Sequence, residues 1–198
     1  MPHYFVGGIN GVGKSTIVRE LVAAEPSLEH IHTTSLIMQW LGIAPGDYEH
    51  LQSLPEAHKT EQNQLMLTHH LGVAGQQYRQ LVLDSHYLHI LEGRTSQLIT
   101  GDWPRFLGAL VLIEADVESI HERISCDSPT RRRPLFLPGT TAAQQIDALS
   151  DYKRETREEF EAIATRFSLP HHIIENNGDP ATACNNLLAI HQELTGKS

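Results

Sequence analysis

A chain of 198 residues is long enough for one well-filled core and short for two, so a single domain over 1–198 is expected. With 15 Lys+Arg against 24 Asp+Glu the net charge is −9, which argues against a general nucleic-acid binder or a docking protein for anionic membranes. No apolar run approaches spanning length, the N-terminus lacks signal-peptide character, and Cys126 and Cys184 lack paired spacing; these features predict a cytoplasmic protein with free thiols.

The first predicted strand, 3–7 (HYFVG), runs directly into "GGINGVGKST". Gly8, Asn10, Gly11, Val12, Gly13, Lys14 and Ser15 fall within G-x-x-x-x-G-K-[ST], followed by Thr16, between a strand and a helical pattern, "STIVRELVAAE". Glycines let the backbone close around phosphate oxygens where a Cβ would collide, and the helix adds its positive N-terminal end. Lys14 reaches the β- and γ-phosphates and the Ser15 hydroxyl can ligate Mg²⁺. This stretch predicts a nucleoside triphosphate site.

A second strand is expected at 29–33. Leu67, Leu71, Ala74 and Tyr78 then recur at helical spacing, giving a helix over 56–78. The strand 80–84 (QLVLD) ends in Asp84, where a second carboxylate for Mg²⁺ or its water is needed. Ser85 follows instead of glutamate, so the acidic pair of a motor ATPase is absent, as are the guanine-specific elements of a GTPase. After a strand at 108–114 and a helix at 116–126 comes a proline-bounded loop carrying Arg131, Arg132 and Arg133. Arginines on a closing loop neutralise a transferring phosphoryl group in a water-poor site, and Arg123 lies just before that loop.

A long helix is expected over 142–168. Between Leu149 and Phe160 its apolar face is interrupted by "SDYKRETREEF", read as a solvated turn from which Arg154 and Arg157 can face a ligand. A last strand is placed at 171–175. Short apolar runs alternating with helices imply βαβ units and a parallel sheet. Thirteen histidines, His69-His70 and His171-His172 among them, match no metal-ligand spacing and are assigned to surface or packing. Trp40 and Trp103 are placed in the core ahead of a pocket role.

On these residues, together with "SLPEAHKTEQ", "LVLDSHYL", "VLIEADVESIHERI" before "DSPTRRRP", and "HHIIENNGDP", the chain resembles the archaeal-type adenylate kinases and related P-loop nucleotide kinases. The resemblance implies a three-layer αβα P-loop NTPase fold with a five-stranded parallel sheet in the order 2-3-1-4-5. It also implies an acceptor-binding helical segment at about 34–78 and a short lid at about 127–139. ATP with Mg²⁺ would be the donor, Lys14 holding its phosphates and Ser15 the metal. Asp84 and His86 of "DSH" match an Asp-x-His of these kinases. Arg123, Arg131 to Arg133 and Arg157 would supply lid-side charge, and Thr34 or Ser35 would begin the acceptor-binding helix.

One departure bears on the acceptor. Gln52 and Ser53 stand just before "LPEAHK", where a cation for the phosphate of AMP is usual, and Arg94 and Lys59 are the nearest substitutes. The expectation is an ATP-dependent kinase acting on a nucleotide or nucleoside, alternatively on another small hydroxyl metabolite. An NTP-binding regulatory protein with slow hydrolysis is the reading from a different class. Oligomeric state is left open.

Overall fold

The computed structural model describes residues 3–77, 80–91, 94–127, 136 and 139–196. Five parallel strands form its central sheet: β1 (His3–Gly7), β2 (Leu28–His32), β3 (Gln80–Asp84), β6 (Leu107–Glu114) and β7 (His171–Glu175). Their spatial order is β2-β3-β1-β6-β7, so among the sheet strands it is the expected 2-3-1-4-5. A separate antiparallel hairpin, β4 (Leu88–Leu91) with β5 (Arg94–Gln97), was not foreseen. Its strands of four residues are too short for a clear apolar alternation.

Alternation along the central strands assigns each side chain to one face. Tyr4 and Val6 of β1, with Ala109, Val111 and Ile113 of β6, pack against α1 (Lys14–Ala24) and α7 (Pro180–Thr195). Phe5, Leu110 and Leu112 point the other way, towards α4 (Glu56–Gln76) and Trp103. With both faces covered, the central strands β1, β3 and β6 are buried and mostly apolar, whereas the edge strands β2 and β7 carry polar residues. Each fully buried Leu, Ile, Val or Phe contributes about 1.5–3 kcal/mol of transfer free energy, which fixes the sheet beneath the loops at its C-terminal edge.

The long helix α6 (Ala142–Phe167) explains the interruption in its own pattern. Leu149 and Tyr152 belong to one face of the core, whereas Phe160, Ile163 and Ala164 belong to the other. The helix therefore passes the end of β6, and its polar middle packs there. Lys153 Nζ donates to the Ala115 carbonyl at 2.9 Å, and Arg157 forms a two-pronged pair with Glu114 at 3.0 and 2.8 Å. Arg154, expected to face a ligand beside Arg157, instead pairs with Asp151 and Glu158 on an exposed face. A spacing of three residues leaves the two side chains far enough apart around the helix to meet different surroundings. Trp103 is fully buried against Phe5, while Trp40 is exposed and hydrogen-bonded to Gln62, contrary to the core placement expected of it.

Candidate nucleotide and acceptor cleft

The turn after β1 wraps back over the sheet because three of its glycines hold positive φ. At Gly13, with φ of 89°, an added Cβ would lie 2.6 Å from Asn176 Nδ2; at Gly8 it would strike the Ile113 carbonyl oxygen. Asn176 locks the turn from the far side, donating from Nδ2 to the Val12 carbonyl at 2.8 Å, while its own N–H donates to the Glu114 carbonyl at 2.8 Å. Arg123, from α5 (Val117–Asp127), donates to the carbonyls of Gly11 and Asn176, at 3.3 and 2.9 Å.

Helix α1 starts at Lys14 with no side-chain cap and no acid in its first turn. Its positive end therefore faces the loop concavity without an acid in its own first turn. Lys14 is buried, and its ammonium donates to the carbonyls of Gly8 and Ile9 at 2.8 and 3.0 Å. A buried lysine held by a glycine-rich turn, at an uncapped helix start, fits a phosphate chain.

Asp84 closes β3 beside this loop. Burial pushes its carboxyl up most strongly, but hydrogen bonds from His30 and Ser15 and the nearby Lys14 and His32 outweigh it, leaving the pKa below the usual value. An ionised carboxylate next to the Ser15 hydroxyl is a suitable donor pair for Mg²⁺, which would neutralise charge on phosphate oxygens. The next residues, Ser85 and His86, turn the chain into the cleft. His86 Nδ1 lies 2.8 Å from the Gly8 carbonyl, which can only accept, so this nitrogen carries the proton. Burial, reinforced by the Lys14 charge, pushes the His86 pKa down to about 3. The ring is neutral and its Nε2 is an acceptor.

The opposite wall comes from β2, α2 (Thr33–Trp40) and α3 (Tyr48–Ser53). His32, Thr34, Ser35 and Tyr48 line it, facing Asn10, Gly11, Gly13, Lys14, Ser15 and Thr16 across a cleft of about 880 Å³. Asp84, Ser85 and His86 form the floor, and Glu122, Arg123 and Cys126 lie along α5. Thr33 Oγ1 donates to Ser85 Oγ at 2.6 Å and ties the start of α2 to that floor. Among the described residues lining this cleft, Lys14 and Arg123 carry the cationic side chains, and both contact the glycine-rich turn.

Lys14, Ser15, Asp84, His86, Thr34, Ser35 and Arg123 thus converge on one cleft. Arg157 lies behind it, engaged with Glu114, and Lys59 is paired with Glu56 at 2.8 Å on α4. Arg94 begins β5, but its side chain lies outside the described residues, as do Arg131, Arg132 and Arg133. Tyr48 and Asn176 had escaped attention, as had two histidines. His30 Nε2 and His32 Nδ1 each lie 3.2 Å from Asp84 Oδ2. The available signal was the H-x-H spacing at the end of an expected strand, which puts both rings on one face.

No protein-family model matches the chain, and no curated protein matches it. Solved structures do. A shikimate kinase from Bacteroides thetaiotaomicron aligns with a TM-score of 0.62 at 14% identity, over 96% of this chain and 98% of that one. A shikimate kinase from Acinetobacter baumannii in complex with shikimate aligns with a TM-score of 0.61 at 16% identity, over 100% of this chain and 95% of that one. At such identities the likeness is one of fold, so the expected resemblance holds for the class and does not single out the archaeal-type adenylate kinases. The chain has the P-loop kinase fold over its whole length.

Proposed function

We propose that this protein is an ATP-dependent kinase that transfers the γ-phosphoryl group to a hydroxyl of a small metabolite. The observation that carries this reading is the contrast between the two cleft walls. One is a cationic backbone cradle; the other offers hydroxyls, an imidazole and a phenol, with no lysine or arginine among its described residues. A phosphate acceptor such as AMP needs charge-assisted bonds that this second wall does not offer. A nucleoside or other polyol needs neutral donors and acceptors, which it does. The two solved structures described above are shikimate kinases, and one holds shikimate, a small hydroxyl acid without a phosphate.

In this mechanism the turn over residues 8–16 takes the ATP phosphates, and Lys14 follows the charge that spreads over the transferring group. Ser15 and Asp84 would hold Mg²⁺, which supplies charge neutralisation at the phosphate oxygens when bound. Thr34, Ser35 and Tyr48 position the acceptor. Asp84 remains ionised and orients the acceptor hydroxyl, and neutral His86 accepts a hydrogen bond at Nε2. A loose phosphoryl transition state asks mainly for positioning and electrostatic support, so a strong base is not required.

The test is ADP release from Mg·ATP with a panel of AMP, other nucleoside monophosphates, nucleosides, shikimate and simple polyols. Stimulation confined to hydroxyl compounds that carry no phosphate, whether shikimate, a nucleoside or a simple polyol, fits the proposal directly. Selective stimulation by AMP would return the chain to the adenylate-kinase reading, with Arg94 as the first cation to examine. ATP binding with no acceptor in the panel raising turnover would favour a regulatory nucleotide binder.

A further inference from the structure

We propose that His30, His32 and Asp84 form a binding site for a zinc-class divalent metal ion, on the acceptor side of the cleft and distinct from the Mg²⁺ that accompanies ATP. His30 and His32 are two apart on β2, so both rings project from the same face, 4.1 Å between centroids. Parallel pairing sets His32 opposite Asp84, which brings that carboxylate to the same point. One potential ligand atom from each residue lies within 4.8 Å of the others.

The two separations from the shared carboxylate oxygen have the size a shared ion demands. Metal–nitrogen and metal–oxygen bonds of about 2.0–2.2 Å, at angles between octahedral and tetrahedral, put neighbouring ligand atoms about 2.9–3.5 Å apart. Both imidazole nitrogens lie 3.2 Å from Asp84 Oδ2. The His30 approach also meets hydrogen-bond geometry, whereas the His32 approach is an ion-pair contact. A hydrogen bond accounts for the first ring, and the second lies at the same distance from the same oxygen without meeting hydrogen-bond geometry. A cation between them accounts for both.

Ligand chemistry selects the ion. Two imidazoles and one carboxylate suit Zn²⁺, Co²⁺ or Ni²⁺, whereas Mg²⁺ prefers oxygen ligands and keeps its waters. Three protein ligands leave a position open, as in sites that bind an exchangeable group. Asp84 has a side-chain exposure of 4%, His30 of 16% and His32 of 51%, so the open side lies towards the cleft that His32 lines. A water or an acceptor oxygen can occupy it. Asp84 is also the expected Mg²⁺ ligand, so the two ions would share one carboxylate.

The experiment titrates chelator-stripped protein with Zn²⁺ in the absence of nucleotide, by calorimetry, and follows the visible absorption of Co²⁺ in parallel. One equivalent should bind, and His30→Ala or His32→Ala should each weaken it at least about tenfold. The exposed His58→Ala should leave it unchanged. Should His30→Ala fail to fold, the ring-nitrogen NMR signals of the wild-type protein serve instead, with Zn²⁺ moving those of His30 and His32 ahead of His58. Binding that survives the double substitution at His30 and His32, or Zn²⁺ shifts that spare these two rings, overturns the proposal. Because no nucleotide or acceptor is present, this outcome is independent of whether the kinase reading stands.

Discussion

The two walls of the cleft are built on different principles. The phosphate-side wall is one contiguous stretch, in which glycine backbone, a lysine and a helix start make the site, and the rest of the fold only braces it through Asn176 and Arg123. The acceptor-side wall is assembled from β2, α2, α3 and the end of β3, and its chemistry lies in side chains brought together from distant positions. Substitution in the first should therefore damage nucleotide handling as a whole. In the second it should change acceptor affinity or metal binding one contact at a time.

The largest effect is expected at Lys14. Lys14→Ala should cut acceptor-dependent turnover by about 10²–10³-fold, as loss of a preorganised electrostatic contact does. Steady-state kinetics checks this, and turnover within tenfold of wild type would mean that the cradle does not act on the transferring charge. Gly13→Ala comes next: the left-handed backbone and the approach to Asn176 should cost about 1–3 kcal/mol in unfolding free energy and abolish tight ATP binding. Denaturant unfolding together with ATP calorimetry measures both.

Arg157 separates the cleft from its supports. Glu114 is buried and takes both prongs of this arginine, with Lys153 at 3.8 Å as a remaining partner. Arg157 itself is nearly half exposed, which screens the pair, so Arg157→Ala should cost only about 1–2 kcal/mol. Melting temperature should fall with the ATP KM unchanged. A collapse in kcat at constant melting temperature would instead place Arg157 on the transferring group. Smaller still, Thr34→Ala or Ser35→Ala should raise the acceptor KM about 2–10-fold and leave ATP affinity alone, the loss of one neutral hydrogen bond. Equal losses for both substrates would erase the distinction between the walls.

His86 gives a pH-dependent test. Its folded pKa is depressed to about 3 from the ordinary imidazole value of 6.5, so between these values the unfolded chain binds the proton and the folded one does not. Stability from this group is present above about pH 6.5 and declines as pH falls towards 3, by at most about 1.4 kcal/mol per unit. His86→Asn should flatten that decline. His3 and His70, also depressed chiefly by burial, act in the same direction and retain the rest of the slope. An unchanged pH profile in the variant would show that the ring is charged in the folded protein.

Much of the architecture was legible because it is written in local patterns. The apolar runs at 80–84 and 107–114 needed only to be continuous, and the turn from Gly8 to Thr16 only to follow one of them. The hairpin of β4 and β5 was missed because strands of four residues are too short to show a clear alternation. The polar middle of α6 is solvated as expected at Asp151, Arg154 and Glu158, but the ligand-facing role expected of its arginines is not what the structure shows. What a helix charge meets depends on what the helix passes, and Lys153 and Arg157 reach the end of β6. H-x-H at 30–32 could be seen in the chain, but its third member is the partner of His32 in a parallel register, 52 positions away.

The sequence alone determined the phosphate cradle, because steric permission at glycine, the reach of a lysine and the polarity of a helix start are properties of a dozen consecutive residues. It also determined the layered sheet, through runs of apolar side chains that can only be buried on both faces. Only the tertiary structure decided which side chains face that cradle. That choice depends on strand register and on helix crossings, each set by the packing of the whole core.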